Sequence, residues 1–125
     1  MTASIMLYVG SVVIILWGIA HIIPTKSVVD GFGSLSLDNF RIITMEWVAE
    51  GLTLMFIGIL VLAVTWIIGP GSSAARLVII TAAGMLFVMA VWSGFTGART
   101  SILPMKACPF VKSIVGILFI LAMFL

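Results

Sequence analysis

The chain has 125 residues, of which 63% are hydrophobic and only 8% are charged, and its formal net charge is +2. Soluble domains carry about 25% charged residues, and a domain this small must expose much of its surface to its surroundings. Because so few charges cannot keep that surface in water, the composition excludes a soluble protein. It predicts a single membrane domain whose partner is the lipid bilayer, and the small net charge gives no indication of nucleic-acid binding.

Four apolar segments are each long enough to cross a membrane. About 20 apolar residues in a helix span the ~30 Å hydrocarbon layer, and the predicted spans cover residues 3–23, 42–68, 75–95 and 107–125. A lipid-exposed segment must satisfy its backbone hydrogen bonds internally, so these uninterrupted runs are predicted to be helices. We therefore predict an all-α, membrane-embedded up-down-up-down four-helix bundle over residues 1–125.

The first span is predicted to stay in the membrane and to end at Pro24, which cannot continue a helix. It lacks the basic start and the cleavage site of a signal peptide. The polar connection that follows contains the turn-forming sequence Gly31-Phe32-Gly33. At its end, Asp38 or Asn39 is predicted to cap the second helix by accepting a backbone hydrogen bond.

Small residues mark the predicted helix contacts in the other spans. Gly51 and Gly58 lie two turns apart on the second span and predict the close approach of another helix. The third span follows a tight turn and carries the patch Ala82-Ala83-Gly84, a second predicted contact. The fourth span is predicted to have Pro109 in its first turn.

The distribution of basic residues predicts the orientation of the bundle. An even number of spans places both termini on one side of the membrane and the first and third connections on the other. These two connections, residues 24–41 and 96–106, hold four of the chain's six lysines and arginines. Since basic connections are retained in the cytoplasm, we predict a multi-pass protein of the inner (plasma) membrane with both termini outside.

The polar residues within the spans gather in the half of the bundle next to these two connections. Glu46 and Glu50 are one turn apart on one face of the second helix, and antiparallel packing brings His21 nearly level with Glu46. A carboxylate near the bilayer centre costs about 2.5–3.5 kcal/mol on insertion scales, so Glu50 needs a partner, a proton or a function. We predict a ligand or proton site formed by Glu50, Glu46 and His21.

The same residues also permit simpler interpretations. Either carboxylate could pair with a basic residue only to hold the bundle in register, and His21 could be a satisfied packing histidine. The basic side chains available for such pairing are Lys112, Arg99 and Arg41, although Lys112 could instead extend to the membrane surface. His21, Glu46 and Glu50 would also suit iron, manganese or zinc, but a single histidine without an ExxH pair does not favour a metal, and it excludes bis-histidine haem ligation within one chain.

The sequence Gly18-Ile19-Ala20-His21-Ile22-Ile23-Pro24 resembles the G-x-x-H-x-x-P motif that ends the first helix of many DoxX-like small membrane proteins. Glu50 and the glycine-containing apolar sequence after it resemble the glutamate element of their second helix. The match covers the first half of the chain, and the connection 25–41 lacks the aromatic, proline-rich loop associated with that group. The resemblance implies four helices, with His21 and Glu50 as the matching positions, and a link to quinone-dependent oxidation or sulfur metabolism as a small subunit.

Three classes of function agree with the sequence. The one we favour is a pocket around Glu50, Glu46 and His21 that binds a small hydrophobic ligand, such as a quinone or a lipid, or a polar group of a partner protein. This hypothesis assigns no catalytic residue and no activity of the chain on its own. The alternatives are an accessory subunit of a larger membrane complex and a homo-oligomeric, proton-coupled transporter or channel.

Overall fold

The computed structural model describes all 125 residues, and they form helices joined by short connections. The helices are α1 (Thr2–Ile22), α2 (Thr25–Asp30), α3 (Leu37–Ile67), α4 (Ser73–Phe95) and α5 (Leu103–Ala122), with a 3-10 helix at Gly97–Arg99 between the last two. α1, α3, α4 and α5 are each long and apolar enough to cross a membrane. The predicted all-α four-helix bundle of a multi-pass membrane protein is confirmed.

Local capping explains where α1 ends and where α3 begins. α1 ends just before Pro24, whose ring interrupts the helical hydrogen bonds. α3 begins at Leu37, earlier than the predicted span, because the Ser36 side chain accepts a hydrogen bond from the Asn39 N–H at 3.2 Å. The prediction that Asp38 or Asn39 caps this helix is therefore wrong; Asp38 lies in the first turn, where a carboxylate stabilises the helix dipole.

The two polar connections contain more helix than the sequence indicates. The first contains α2, which precedes the turn at Gly33, a glycine with φ of +80°. α5 begins at Leu103 because Pro104 lies in its first turn, where the backbone nitrogen needs no hydrogen-bond partner. Pro109 consequently lies inside the helix rather than in its first turn.

The four long helices form a ring in which one pair of neighbours is splayed apart. α1 packs along α3, α4 packs along α5, and α1 also contacts α5, whereas α3 and α4 touch over a much shorter length. Apolar side chains from all four long helices make up the buried core. A short turn joins α3 and α4 at one end of the bundle, and a cleft lies between them toward the other end.

The contact between α1 and α3 depends on glycines on both helices. A Cβ atom on Gly18 would lie 2.7 Å from the carbonyl oxygen of Gly51, and one on Gly58 would lie 2.7 Å from that of Ser11. These neighbours are backbone atoms of the opposite helix, so glycine is required for the approach. The predicted close approach at Gly51 and Gly58 is confirmed, and the partner is α1.

The small-residue patch on α4 is only partly a helix contact. Ala82 and Ala83 are buried in the core. Gly84 is exposed, and a Cβ atom there would have no neighbour within 4 Å. The prediction therefore fails at Gly84, which faces outward.

Candidate functional site

Each of the four long helices contributes one polar side chain to a cluster inside the bundle. This polar cluster consists of His21 from α1, Glu50 from α3, Ser93 from α4 and Lys112 from α5. Lys112 Nζ donates hydrogen bonds to Glu50 Oε1 at 2.5 Å and to Ser93 Oγ at 2.6 Å. His21 Nε2 lies 3.8 Å from the other carboxylate oxygen, Glu50 Oε2. Glu50 is therefore the centre of the cluster, with a lysine on one oxygen and a histidine beyond the other.

Lys112 is enclosed by the bundle, with a relative exposure of 0%. A buried ammonium group is costly unless it is both paired with an opposite charge and hydrogen-bonded. Glu50 supplies the charge and Ser93 supplies a further acceptor. The interpretation that Lys112 extends to the membrane surface is wrong, because its side chain ends in the core.

His21 is positioned by Trp47, which lies on the neighbouring helix α3. The Trp47 indole N–H donates a hydrogen bond to the His21 carbonyl oxygen at 2.8 Å. The two rings are stacked, with centroids 4.1 Å apart and an interplanar angle of 15°. His21 is buried, and its Nε2 atom has no hydrogen-bond partner. It is therefore not a satisfied packing histidine, and its free nitrogen faces the Glu50 carboxylate.

The cleft between α3 and α4 gives access to this cluster. Its volume is about 610 Å³, within the range of about 300–1,000 Å³ that is typical of small-molecule sites. Its lining includes Glu46, Trp47, Ala49 and Glu50 from α3, Met85, Val88, Met89, Trp92 and Ser93 from α4, and Lys112 from α5. The Glu50 side chain is 34% exposed, whereas that of Lys112 is 1% exposed. Glu50 is thus the charged member of the cluster that a molecule in the cleft can reach.

The cleft opens sideways, onto the outer surface of the bundle. Its α4 wall carries Val88 and Trp92, which are exposed by 64% and 72%. Ala49, on the α3 wall, is also exposed. The cleft is therefore open to the outside of the bundle without a passage through the buried core.

Glu46 lines the cleft but does not belong to the polar cluster. It is exposed, lies one turn from Glu50 toward the start of α3, and forms no ion pair. Of the three predicted site residues, the structure brings Glu50 and His21 together and places Glu46 on the cleft wall beside them.

Only one of the three predicted pairing partners is paired. Lys112 pairs with Glu50, whereas Arg41 and Arg99 are exposed and form no ion pair. The Arg99 guanidinium group instead lies 5.7 Å from the centroid of the Phe95 ring. Both arginines remain outside the polar cluster.

Sequence reasoning did not assign Ser93 or Trp47 to the site. Trp47 lies three residues before Glu50, a spacing that places two side chains on one face of a helix and could have indicated its role. Ser93 gave no such signal, because a helical serine commonly bonds to a carbonyl one turn earlier. Its hydroxyl does donate to the Met89 carbonyl oxygen at 2.7 Å, and the same oxygen atom accepts from Lys112.

No group of three or more His, Cys, Asp or Glu side chains in the structure could hold a metal ion. The three residues that the sequence suggested as a metal site do not form such a group; they are His21, Glu46 and Glu50. The polar groups of the cluster are arranged to bond to one another, and Glu50 also borders the cleft.

The fold and the cluster define a small four-helix membrane protein with an intramembrane ion pair beside a lateral cleft. Comparison of the chain with family models, with curated proteins and with solved structures finds no match. Function is therefore inferred from the polar cluster and the cleft.

Proposed function

We propose that the cleft binds a small hydrophobic ligand, which enters from the bilayer and forms a hydrogen bond with Glu50. One observation carries the proposal: the Glu50 side chain is 34% exposed in the cleft, while its counter-ion Lys112 is enclosed. A carboxylate that served only to hold helices together would be expected to be enclosed together with its partner, since exposure to lipid is costly. The open side of Glu50 is instead available to a ligand.

The free polar groups of the cleft define the chemistry of this ligand. Lys112, Ser93 and Trp47 direct their donors at groups of the protein. Glu50 can therefore accept a hydrogen bond on its cleft side, and the indole N–H of the exposed Trp92 can donate one from the opposite wall. A quinone-type ring meets both requirements, because the hydroxyl of its reduced form donates to Glu50 and a ring oxygen accepts from Trp92.

His21 extends the proposal from binding to proton exchange. Its Nε2 atom has no partner and lies 3.8 Å from Glu50 Oε2, so a small side-chain movement brings the two atoms within hydrogen-bonding distance. Glu50 would exchange a proton with the ligand hydroxyl, and His21 would exchange it with Glu50. No further chemistry is assigned to the chain alone.

The Glu50→Gln variant tests this proposal. The substitution keeps a hydrogen-bond acceptor, so we expect the helices to insert. Because it removes the charge, we expect the affinity for the reduced short-chain quinone decylubiquinol to fall about tenfold, the equivalent of ~1.4 kcal/mol. Quenching of tryptophan fluorescence measures binding, because Trp47 and Trp92 line the cleft, and circular dichroism measures helix content. Asp38→Asn, an acidic position on α3 outside the cleft, is the matched control. Unchanged affinity in a folded Glu50→Gln variant would overturn the proposal.

We further propose that the chain is related to the DoxX-like small membrane proteins. The two positions that carry the resemblance, His21 and Glu50, come from different helices and yet lie side by side, which supports a shared site rather than two unrelated motifs. A quinone-type ligand agrees with the quinone-dependent oxidation linked to some members of that group. A relative whose equivalent histidine and glutamate lie far apart would argue against this relationship.

We also propose that the end of the bundle nearest the polar cluster faces the cytoplasm, with both termini outside. Four exposed basic residues at this end support the orientation; they are Lys26, Arg41, Arg99 and Lys106. In a Cys108→Ala background, a membrane-impermeant maleimide added to intact cells should label Gly71→Cys but not Ser34→Cys. The reverse labelling pattern would invert the orientation.

A further inference from the structure

The acidic side chains that line the cleft outnumber the basic ones. Three charged side chains line it: Glu46, Glu50 and Lys112. Lys112 is enclosed and hydrogen-bonded to Glu50, so its charge is already matched by that carboxylate. Glu46 has no ion-pair partner, and the basic residues at this end of the bundle are not part of the lining. The cleft therefore holds one carboxylate in excess of its cations.

The other side chains around Glu46 are of the types that accommodate organic cations. Trp92 is largely exposed on the opposite wall, and Trp47 follows Glu46 directly on α3. The faces of tryptophan rings attract cations through their quadrupole, and the polarizable thioethers of Met85 and Met89 adapt to irregular apolar groups. Because the cleft opens toward lipid, where the dielectric constant is low, the attraction between a carboxylate and a cation is stronger than in water.

We propose that the cleft selects lipophilic cations, meaning ammonium or phosphonium groups with apolar substituents, over neutral and anionic molecules of the same size. Glu46 determines this specificity, and Trp92 provides the aromatic surface for the cation. The inference rests on the proposed function, since it names the charge class of the ligand that the same cleft binds. A protonated amine donates to Glu50 as a hydroxyl does, and it gains an attraction to Glu46 that a hydroxyl lacks.

The polar cluster can adjust to such a ligand because Glu50 has a second partner within the protein. Only 7% of His21 is exposed. Its Nε2 atom has no hydrogen-bond partner and faces Glu50 Oε2. When a cation in the cleft draws on Glu50, the carboxylate can keep Lys112 on Oε1 and tilt so that Oε2 bonds to His21 Nε2. The unpartnered imidazole nitrogen is thus available to a carboxylate that shifts as the ligand enters.

A pair of probes with matched shape and opposite charge tests the inference. Tetraphenylphosphonium and tetraphenylborate are each titrated against the full chain in nanodiscs of zwitterionic lipid, with decylubiquinol as the neutral probe. Uptake by protein-free nanodiscs is subtracted, because the dipole potential of the lipid favours the anion. We expect the cation to bind about tenfold more tightly than the anion. Glu46→Gln should weaken cation binding about fivefold and reduce the preference for the cation over decylubiquinol, whereas Asp38→Asn should change neither.

The outcomes separate this inference from the proposed function. Equal affinity for the two ions, or an unchanged preference in Glu46→Gln, overturns selection by charge. If decylubiquinol binds in a manner that depends on Glu50 while the phosphonium does not bind, the proposed function stands and the cation inference fails. If the phosphonium binds equally well to wild type and to folded Glu46→Gln and Glu50→Gln variants, the cleft is not its site and the inference also fails.

Discussion

Glu50 and Lys112 neutralise each other inside an apolar bundle, and their unequal burial gives them unequal roles. The Glu50 side chain is 34% exposed, whereas Lys112 is enclosed. Removing Glu50 therefore leaves an enclosed positive charge with only Ser93 as a partner, whereas removing Lys112 leaves a carboxylate that still has His21 beside it. The lysine stabilises the cluster from inside the protein, and the glutamate connects it to the cleft.

This asymmetry predicts a ranked set of stabilities. Glu50→Met should lower the free energy of unfolding by about 3–5 kcal/mol, the usual cost of breaking a buried ion pair by removing one partner. Lys112→Met should cost less, and the double variant should recover part of the loss because no charge is then left unpaired. Denaturation in detergent micelles, followed by circular dichroism, measures all three variants. Strict additivity of the two single changes, without a coupling free energy of about 0.5–3 kcal/mol, would contradict the pairing.

Some residues of the polar cluster could be identified from the sequence, and others could not. Glu50 was identifiable because a carboxylate inside a long apolar run has a known cost. Its lysine was named as one of three basic candidates, but its burial was not predicted, because spacing along α5 does not show which side of that helix faces the core. Ser93 and Trp47 remained unassigned, since a helical serine and a membrane tryptophan have common structural roles that do not require a site.

At the scale of elements, glycine sets the distance between α1 and α3. Gly18→Ala should destabilise the protein by about 1–3 kcal/mol, as overpacking does, because the added methyl group meets the Gly51 carbonyl oxygen at 2.7 Å. The control is Gly84→Ala, which adds the same group on α4 where nothing lies within 4 Å. That change should be neutral or stabilise the helix by up to ~1 kcal/mol. Thermal unfolding in the same detergent measures both, and an equal loss of stability would show that the α1–α3 contact is not critical.

The long helices were predictable from the sequence, whereas their boundaries were less so. Each apolar run exceeds the length that a helix needs to cross the bilayer, so their number and type follow from hydropathy. The start of α3 was missed because Ser36 provides the cap, and the start of α5 because Pro104 is tolerated in a first turn. α2 was missed because a six-residue helix in a polar connection has no distinct periodicity.

At the scale of the whole molecule, the cleft results from unequal packing around the ring of helices. α3 and α4 are joined by a short turn at one end, and the lining of the cleft includes residues toward their other ends, such as Ile42 and Trp92. Leucine, isoleucine, methionine and alanine cover all faces of these helices, so the sequence does not distinguish a face that contacts another helix from one that contacts lipid. The site residues could be named from the sequence, but the cleft that makes Glu50 accessible could not.

We propose that this cleft, and not the ion pair alone, gives the protein its function. Ala49→Phe would fill the cleft from the α3 wall without removing any member of the polar cluster, whereas Ala20→Phe adds the same ring at an exposed position of α1 that does not line it. The most direct measurement is native mass spectrometry of the wild type and both variants in mild detergent with decylubiquinol, which reports bound ligand, copy number and any co-purifying chain together. We expect stoichiometric ligand on the wild type and on Ala20→Phe, and its loss from Ala49→Phe. Equal occupancy of all three proteins, or an empty wild type, would contradict the account.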